Sequence, residues 1–114
     1  MFFEVVAQLA ASRWNVRGNC ALVVGATYPK ELARVRALTG DMPFLVPGVG
    51  AQGGNVQAVV ANGQTAAGDG LMVSSSRAIL YAASDETWIE AARTAARTLR
   101  DQINQHRAGR RNAA

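Results

Sequence analysis

The chain of 114 residues holds one cysteine, one histidine and one lysine. A single thiol, Cys20, excludes any disulfide within the chain, and its place at the head of an apolar run suits a small buried hydrophobe in a reduced, cytoplasmic setting. His106 stands apart from any cysteine, histidine or carboxylate at metal-ligand spacing, so it is read as a surface residue and no metal site is expected. No apolar run is long enough to span a bilayer. The opening "MFFEVVAQLAAS" carries no basic leading segment and is interrupted by Glu4 and Gln8, which argues against a secretory signal.

What is present suffices for one small domain: 49% of the residues are hydrophobic, far from the composition of disordered chains. Arginine dominates the basic side, with eleven Arg and one Lys against eight acids, a net charge of +4. Six of these arginines lie from Arg93 onward. Arg93, Arg97 and Arg100 recur at helical spacing opposite apolar positions, the pattern of a solvated helix face rather than a nucleic-acid contact. The sequence is therefore divided into a body over 1–106 and a basic, disordered tail over 107–114.

Phe2, Val5, Val6 and Leu9 predict an amphipathic helix over 2–14, stopped near Gly18. Cys20 to Val24 is a short β-branched run, the look of a strand covered on both faces in a parallel sheet. Pro29 and Glu31 open a helix that turns Leu32, Val35 and Leu38 inward and stops at Gly40. A second strand is expected over 43–46, then a short helix marked by Val56, Val59 and Val60 that ends in a left-handed stop at Asn62-Gly63. A third strand is expected over 71–73, followed by a helical stretch from Ser74 to Ala82. Ser84, Asp85 and Glu86 cap a last long helix whose buried stripe is Trp88, Ala92, Leu99 and Ile103. Trp14 and Trp88 are read as packing residues. The order is a leading helix and three strand-loop-helix units. That is an α/β arrangement, either an open doubly wound sheet or part of a (β/α)8 barrel. A complete barrel takes about 250 residues, so only a part of one fits here.

In either architecture ligands meet the carboxyl ends of the strands. "PGVGAQGGN", residues 47–55, lies at such an end, and its glycines can adopt positive φ and bring bare backbone N–H groups to an anion. The next strand exit supplies "SSSRA", residues 74–78, where Arg77 adds a fork of donors matched to phosphate oxygens. Together they describe a phosphate cradle. Two alternatives stay open at this point: "GVGAQG" matches the glycine pattern of a dinucleotide loop, although Asp69 precedes the strand it should follow, and a glycine-rich segment can be only a turn.

"VVGATYPKELARVR", "FLVPGVGAQGGN" and "GLMVSSSRAILYA" together resemble the C-terminal part of orotidine 5'-phosphate decarboxylase in its long bacterial form, from about Phe3 to Asn104. The resemblance implies a partial (β/α)8 barrel: a leading helix and the last three βα units, with strands at about 20–24, 43–46 and 71–73. It implies conversion of orotidine monophosphate to uridine monophosphate and carbon dioxide without a cofactor. Gln52 would bridge the substrate phosphate and pyrimidine, Arg77 would bind the phosphate, and Pro47 and Val49 would line the base pocket. Gly50 and Gly53 would belong to the phosphate loop, and Ser76 would offer a backbone N–H. Ser76 and Asn55 stand where the family often has a glycine and an acid.

The family's catalytic group is an alternating Lys and Asp array with an Asp-x-Lys-x-x-Asp segment, and this chain contains no such segment. Decarboxylation leaves a carbanion at the pyrimidine C6 that needs an ammonium beside it, and Lys30, at a helix start, is read as facing solvent. No residue of this chain is therefore assigned a catalytic role, and the chain alone is expected to be inactive. Its expected partners are orotidine or uridine monophosphate and either further copies of itself or an N-terminal half of the barrel, with no nucleic acid or membrane. The competing readings are a non-enzymatic module that binds nucleotide phosphate or pairs with a subunit, and another phosphate-binding barrel enzyme.

Overall fold

The structure, a computed structural model, describes residues 1–50 and 54–107. Helix α1 (Phe2–Leu9) continues into a π-helical turn (Ala10–Trp14) and is followed by β1 (Leu22–Val23), α2 (Pro29–Thr39), β2 (Phe44–Pro47) and α3 (Val56–Gly63). The rest is β3 (Leu71–Ser74), α4 (Ser76–Leu80) and α5 (Trp88–His106). The strands pair in parallel in the order β1-β2-β3, with Phe44 opposite both Leu22 and Leu71. Two successive right-handed crossovers that advance in the same direction place their helices on the same face of the sheet.

That geometry decides the burial. Phe44 and Val46 point toward the helices and are fully buried with Leu32, Val59 and Val60. The alternate positions point the other way: Val23 is 70% exposed, Leu45 38% and Met72 50%. The expectation of a strand over 20–24 covered on both faces is corrected here, because both crossovers lie on one side and no described element covers the other. β1 is also shorter than the expected 20–24 run, although Leu22, Val24 and Ala26 all donate backbone hydrogen bonds to the neighbouring strand segment. Cys20 is half-buried ahead of it, its Sγ 3.5 Å from the Trp14 carbonyl oxygen.

The helices depart from the expected pattern in ways that packing explains. α1 turns Ala7, and the π-helical turn Ala10, into the core with Phe3 beside them, whereas Phe2 and Val5 are exposed. Its apolar stripe is wider than the surface α2 offers, and the small alanines allow the closest approach. Gly63 ends α3 without a left-handed φ. A Cβ there would lie 3.0 Å from Leu71 Cδ2 and 3.1 Å from Leu32 Cδ2, so glycine serves close packing rather than a stop. Gly40 does end α2 with φ 58°. Trp14 and Trp88 are both more than half exposed, since each lies at a helix end beyond the surface its helix buries. Along α5 the half-buried residues are Ala91, Ala92, Ala95, Leu99, Ile103 and Asn104, and the arginines at 93, 97 and 100 are exposed.

Asp85 acts one step ahead of α5 rather than as its cap: its Oδ1 accepts from Thr87 Oγ1 at 2.6 Å and Thr87 N at 2.9 Å, an Asx turn. Those two bonds, the hydroxyl's first, hold the Asp85 carboxyl below its ordinary pKa. A carboxyl depressed in the folded state contributes stability above its unfolded pKa and loses it as pH falls through the folded value. Acid titration of thermal stability should therefore show a component below about pH 4 that Asp85→Asn removes; an identical acid limb in the variant would contradict it.

At the amino end of the sheet, Arg36 of α2 joins four segments. Its Nε donates to Gly63 O at 2.7 Å, one terminal nitrogen to Gly40 O at 2.7 Å and Met42 O at 2.6 Å, and the other to Gly70 O at 3.3 Å. The guanidinium carbon lies 3.7 Å from the centroid of the Phe44 ring. Burial lowers the Arg36 pKa, and the carboxylates of Asp41 and Asp69 oppose that shift. Arg107, at the start of the expected tail, donates to Gly68 O at 2.6 Å, and residues 108–114 lie outside those described.

Candidate functional site

The chain leaves β2 through Pro47, Gly48, Val49 and Gly50. Gly48 has φ 91° and Gly50 φ 84°, values that a residue with a Cβ rarely adopts. The two ends of the loop bond to each other: Gly54 N donates to Gly48 O at 3.1 Å, and Gly50 N to Gly54 O at 3.1 Å. Gly54 is buried against the exit of β1, where a Cβ would come within 2.6 Å of Ala26 Cβ and 2.6 Å of Gly48 O. Ala26 N in turn donates to Pro47 O at 3.0 Å. Asn55 then caps α3, its Oδ1 accepting from Ala58 N at 3.0 Å. Because backbone crowds the Gly54 position, Gly54→Ala is expected to destabilise the fold by about 2–3 kcal/mol in urea unfolding. A loss under about 0.5 kcal/mol would show that the loop has room to shift.

The chain leaves β3 through Ser74, Ser75, Ser76 and Arg77, beside the glycine loop. Ser75 Oγ donates to Val49 O at 2.9 Å, and a Cβ on Gly50 would lie 3.5 Å from that same Oγ. Between the two exits is a small cavity of about 110 Å3, lined by Pro47, Gly48, Val49, Ser74, Ser75, Ser76 and Arg77. The Arg77 side chain is exposed and makes no hydrogen bond or ion pair with the described residues. A cationic residue borders this cavity, and none of its donors is used by the described residues.

Of the residues singled out from sequence, Pro47, Val49, Ser76 and Arg77 line this one cavity, and Gly50 lies beside it. Pro47 is half-buried and Ser76 exposed; Val49 is 2% exposed and packs mostly into the core. Gln52 and Gly53 lie outside the described residues. Lys30 is exposed in the first turn of α2, as expected. The sequence reading missed Ser75, hidden in a run of three serines, and Ala26, which only the close approach of Gly54 reveals. A larger hollow of about 420 Å3 runs beside β1 between α1 and α2, but apolar residues such as Phe3, Val6, Leu22 and Val35 dominate its lining. Among the described residues no group of three or more His, Cys, Asp or Glu could hold a metal, and no helix is long and apolar enough to cross a membrane.

Parallel βα units with their polar, glycine-bearing loops gathered at the carboxyl ends of consecutive strands define a segment of a (β/α)8 barrel. Comparison with known proteins carries this further. No family model matches the chain. The orotidine 5'-phosphate decarboxylase of Azoarcus sp. (strain BH72) is 63% identical over 105 residues, which cover 92% of this chain and 39% of that protein. That of Janthinobacterium sp. (strain Marseille) is 61% identical over 104 residues, 91% of this chain and 38% of that protein. Among solved structures, Leishmania donovani UMP synthase superposes with a TM-score of 0.77 at 43% identity, over 91% of this chain and 22% of that one. Leishmania donovani OMP decarboxylase gives 0.71 at 40% identity, over 89% of this chain and 38% of that one. The chain belongs to the orotidine 5'-phosphate decarboxylase family, a family of carboxy-lyases, and corresponds to its C-terminal part. It spans about 39% of the length of the curated relatives it matches.

Proposed function

We propose that this chain is the phosphate-gripping part of an orotidine 5'-phosphate decarboxylase and that it does not complete the reaction alone. The observation that supports this most is that Arg77, whose side chain bonds to none of the described residues, lines one cavity of about 110 Å3 with Gly48 and Val49 of the glycine turn. In this reading the Arg77 fork donates to two phosphate oxygens, and the bare loop backbone approaches the remaining oxygens where a Cβ would obstruct them. Gln52 reaches from phosphate to pyrimidine, with Pro47 and Val49 against the base. The phosphate is remote from the bond that breaks, so its binding energy serves to order the loop and hold the pyrimidine in place for reaction.

The carbanion left at C6 when carbon dioxide departs needs a positioned ammonium and then a proton. This chain offers one lysine, exposed at the start of α2, and no Asp-x-Lys-x-x-Asp segment. The remaining machinery comes, in this reading, from an N-terminal half of the barrel. Mixing this chain with a separately produced N-terminal half of a relative, and following uridine monophosphate formation, is expected to give activity that neither component shows. A folded, associated mixture without activity would count against complementation.

The bare apolar face of Val23, Leu45 and Met72 supports a pairing role, with further copies of the chain or the missing half as its cover. Alone, the chain is expected to self-associate, and Leu45→Ser with Met72→Ser to shift its sedimentation toward monomer. A wild-type chain that sediments as a monomer at every concentration would contradict this.

A further inference from the structure

Serine at a helix N-cap ordinarily accepts a hydrogen bond from the backbone of the first turn. Ser75 occupies the N-cap position of α4 and makes no such bond. Its hydroxyl proton goes across to the neighbouring strand exit instead, on the carbonyl oxygen of Val49, 2.9 Å away and 26 residues earlier in the chain. Val49 lies between Gly48 and Gly50, the two residues of positive φ in that turn, and forms the isolated parallel bridge with Gly54. The sheet pairing of Pro47 with Ser74 ends just before this point, and among the described residues Ser75 makes the one side-chain hydrogen bond that joins residues 74–78 to residues 47–50. Serine is half-buried here, and Gly50 leaves it room.

From this we infer that Ser75 is a positioning residue: its hydroxyl latches the glycine turn to the β3 exit and so fixes the distance between the turn's backbone donors and Arg77. This rests on the phosphate-gripping reading proposed above, and it adds a residue whose side chain never touches the ligand. A cradle made of two loops on separate strands loses affinity when the loops drift independently, because binding must then also pay for aligning them. Ser75 removes that cost in advance. Deleting a hydroxyl that makes one partly buried hydrogen bond lets the turn open more often while the sheet and helices remain as they are.

The test uses the full chain as wild type, Ser75→Ala, Ser75→Thr and Arg77→Ala, with two readouts. Amide hydrogen exchange without ligand is expected to quicken about tenfold at Gly50 and Gly54 in Ser75→Ala, to remain at the wild-type rate at Phe44 and Val46, and to return toward wild type in Ser75→Thr. Affinity for inorganic phosphate and for uridine monophosphate is expected to fall about tenfold in Ser75→Ala, to recover in Ser75→Thr, and to fall about a hundredfold in Arg77→Ala. Unchanged exchange at Gly50 and Gly54 in Ser75→Ala overturns the latch and leaves the cradle standing. Faster exchange with unchanged phosphate affinity overturns its positioning role. A wild-type chain that binds neither ligand overturns the cradle, and with it any role of Ser75 in holding phosphate.

Discussion

Replacing Arg36 by methionine is expected to lower the unfolding free energy by about 3 kcal/mol, a fall of about 15 °C in the thermal midpoint for a domain of this size. Methionine keeps an unbranched apolar stem in the same channel, so the loss reports the guanidinium rather than a cavity. Without it, the carbonyls of Gly63, Gly40, Met42 and Gly70 lose a shared donor, while Gly70 O keeps a second one, Phe44 N of the sheet. The cation also lies on the Phe44 face, a contact worth about 1 kcal/mol or more once desolvated. Arg36→Lys should recover little, because a single ammonium cannot reach four carbonyls spread around a planar fork. Urea unfolding with tryptophan fluorescence measures the difference; a loss under about 1 kcal/mol would mean that water replaces the guanidinium at little cost.

Arg77→Ala is expected to act in the opposite sense: a large effect on binding and almost none on folding. Its guanidinium is exposed and makes no bond with the described residues, so truncation removes no hydrogen bond or ion pair among them. A two-pronged, charge-assisted contact with phosphate contributes about 2.7 kcal/mol, so affinity for uridine monophosphate should fall about a hundredfold while the unfolding midpoint stays in place. Arg77→Lys should recover part of the affinity, since a point charge keeps the attraction and loses the fork. Equal affinities in wild type and Arg77→Ala would remove this residue from the site.

The order of elements was legible because each strand is a short apolar run and α2 carries clear boundary residues: Pro29 opens it and Gly40 closes it with positive φ. The same local signals misled where tertiary contact, rather than backbone conformation, sets the residue. Gly63 looks like a left-handed stop, yet its φ is not left-handed and what marks it is the close approach of Leu71 and Leu32, which a Cβ would crowd. Phe2 and Val5 continue an apolar stripe that α2 is too narrow to cover. An apolar strand looks alike whether one face or two are covered, so the bare side of Val23, Leu45 and Met72 could be read only from the topology.

The site divides along the same line. Arg77 and the glycines announce themselves by type and by position after a strand, and the structure places Arg77 beside Gly48 and Val49 around one cavity. Ser75 and Arg36 do not, because their partners are carbonyl oxygens far along the chain, at Val49, Gly63 and Gly70, and a main-chain acceptor leaves no mark on the sequence.

The claim that two consecutive strand exits serve one anion is tested most directly by titrating the chain with inorganic phosphate while following its backbone amide NMR signals. The account predicts that Gly48 and Gly50 on one exit, and Ser76 and Arg77 on the other, shift together with a single dissociation constant, and that all four stop responding in Arg77→Ala. Shifts confined to one exit, or a response that survives the loss of Arg77, would contradict it.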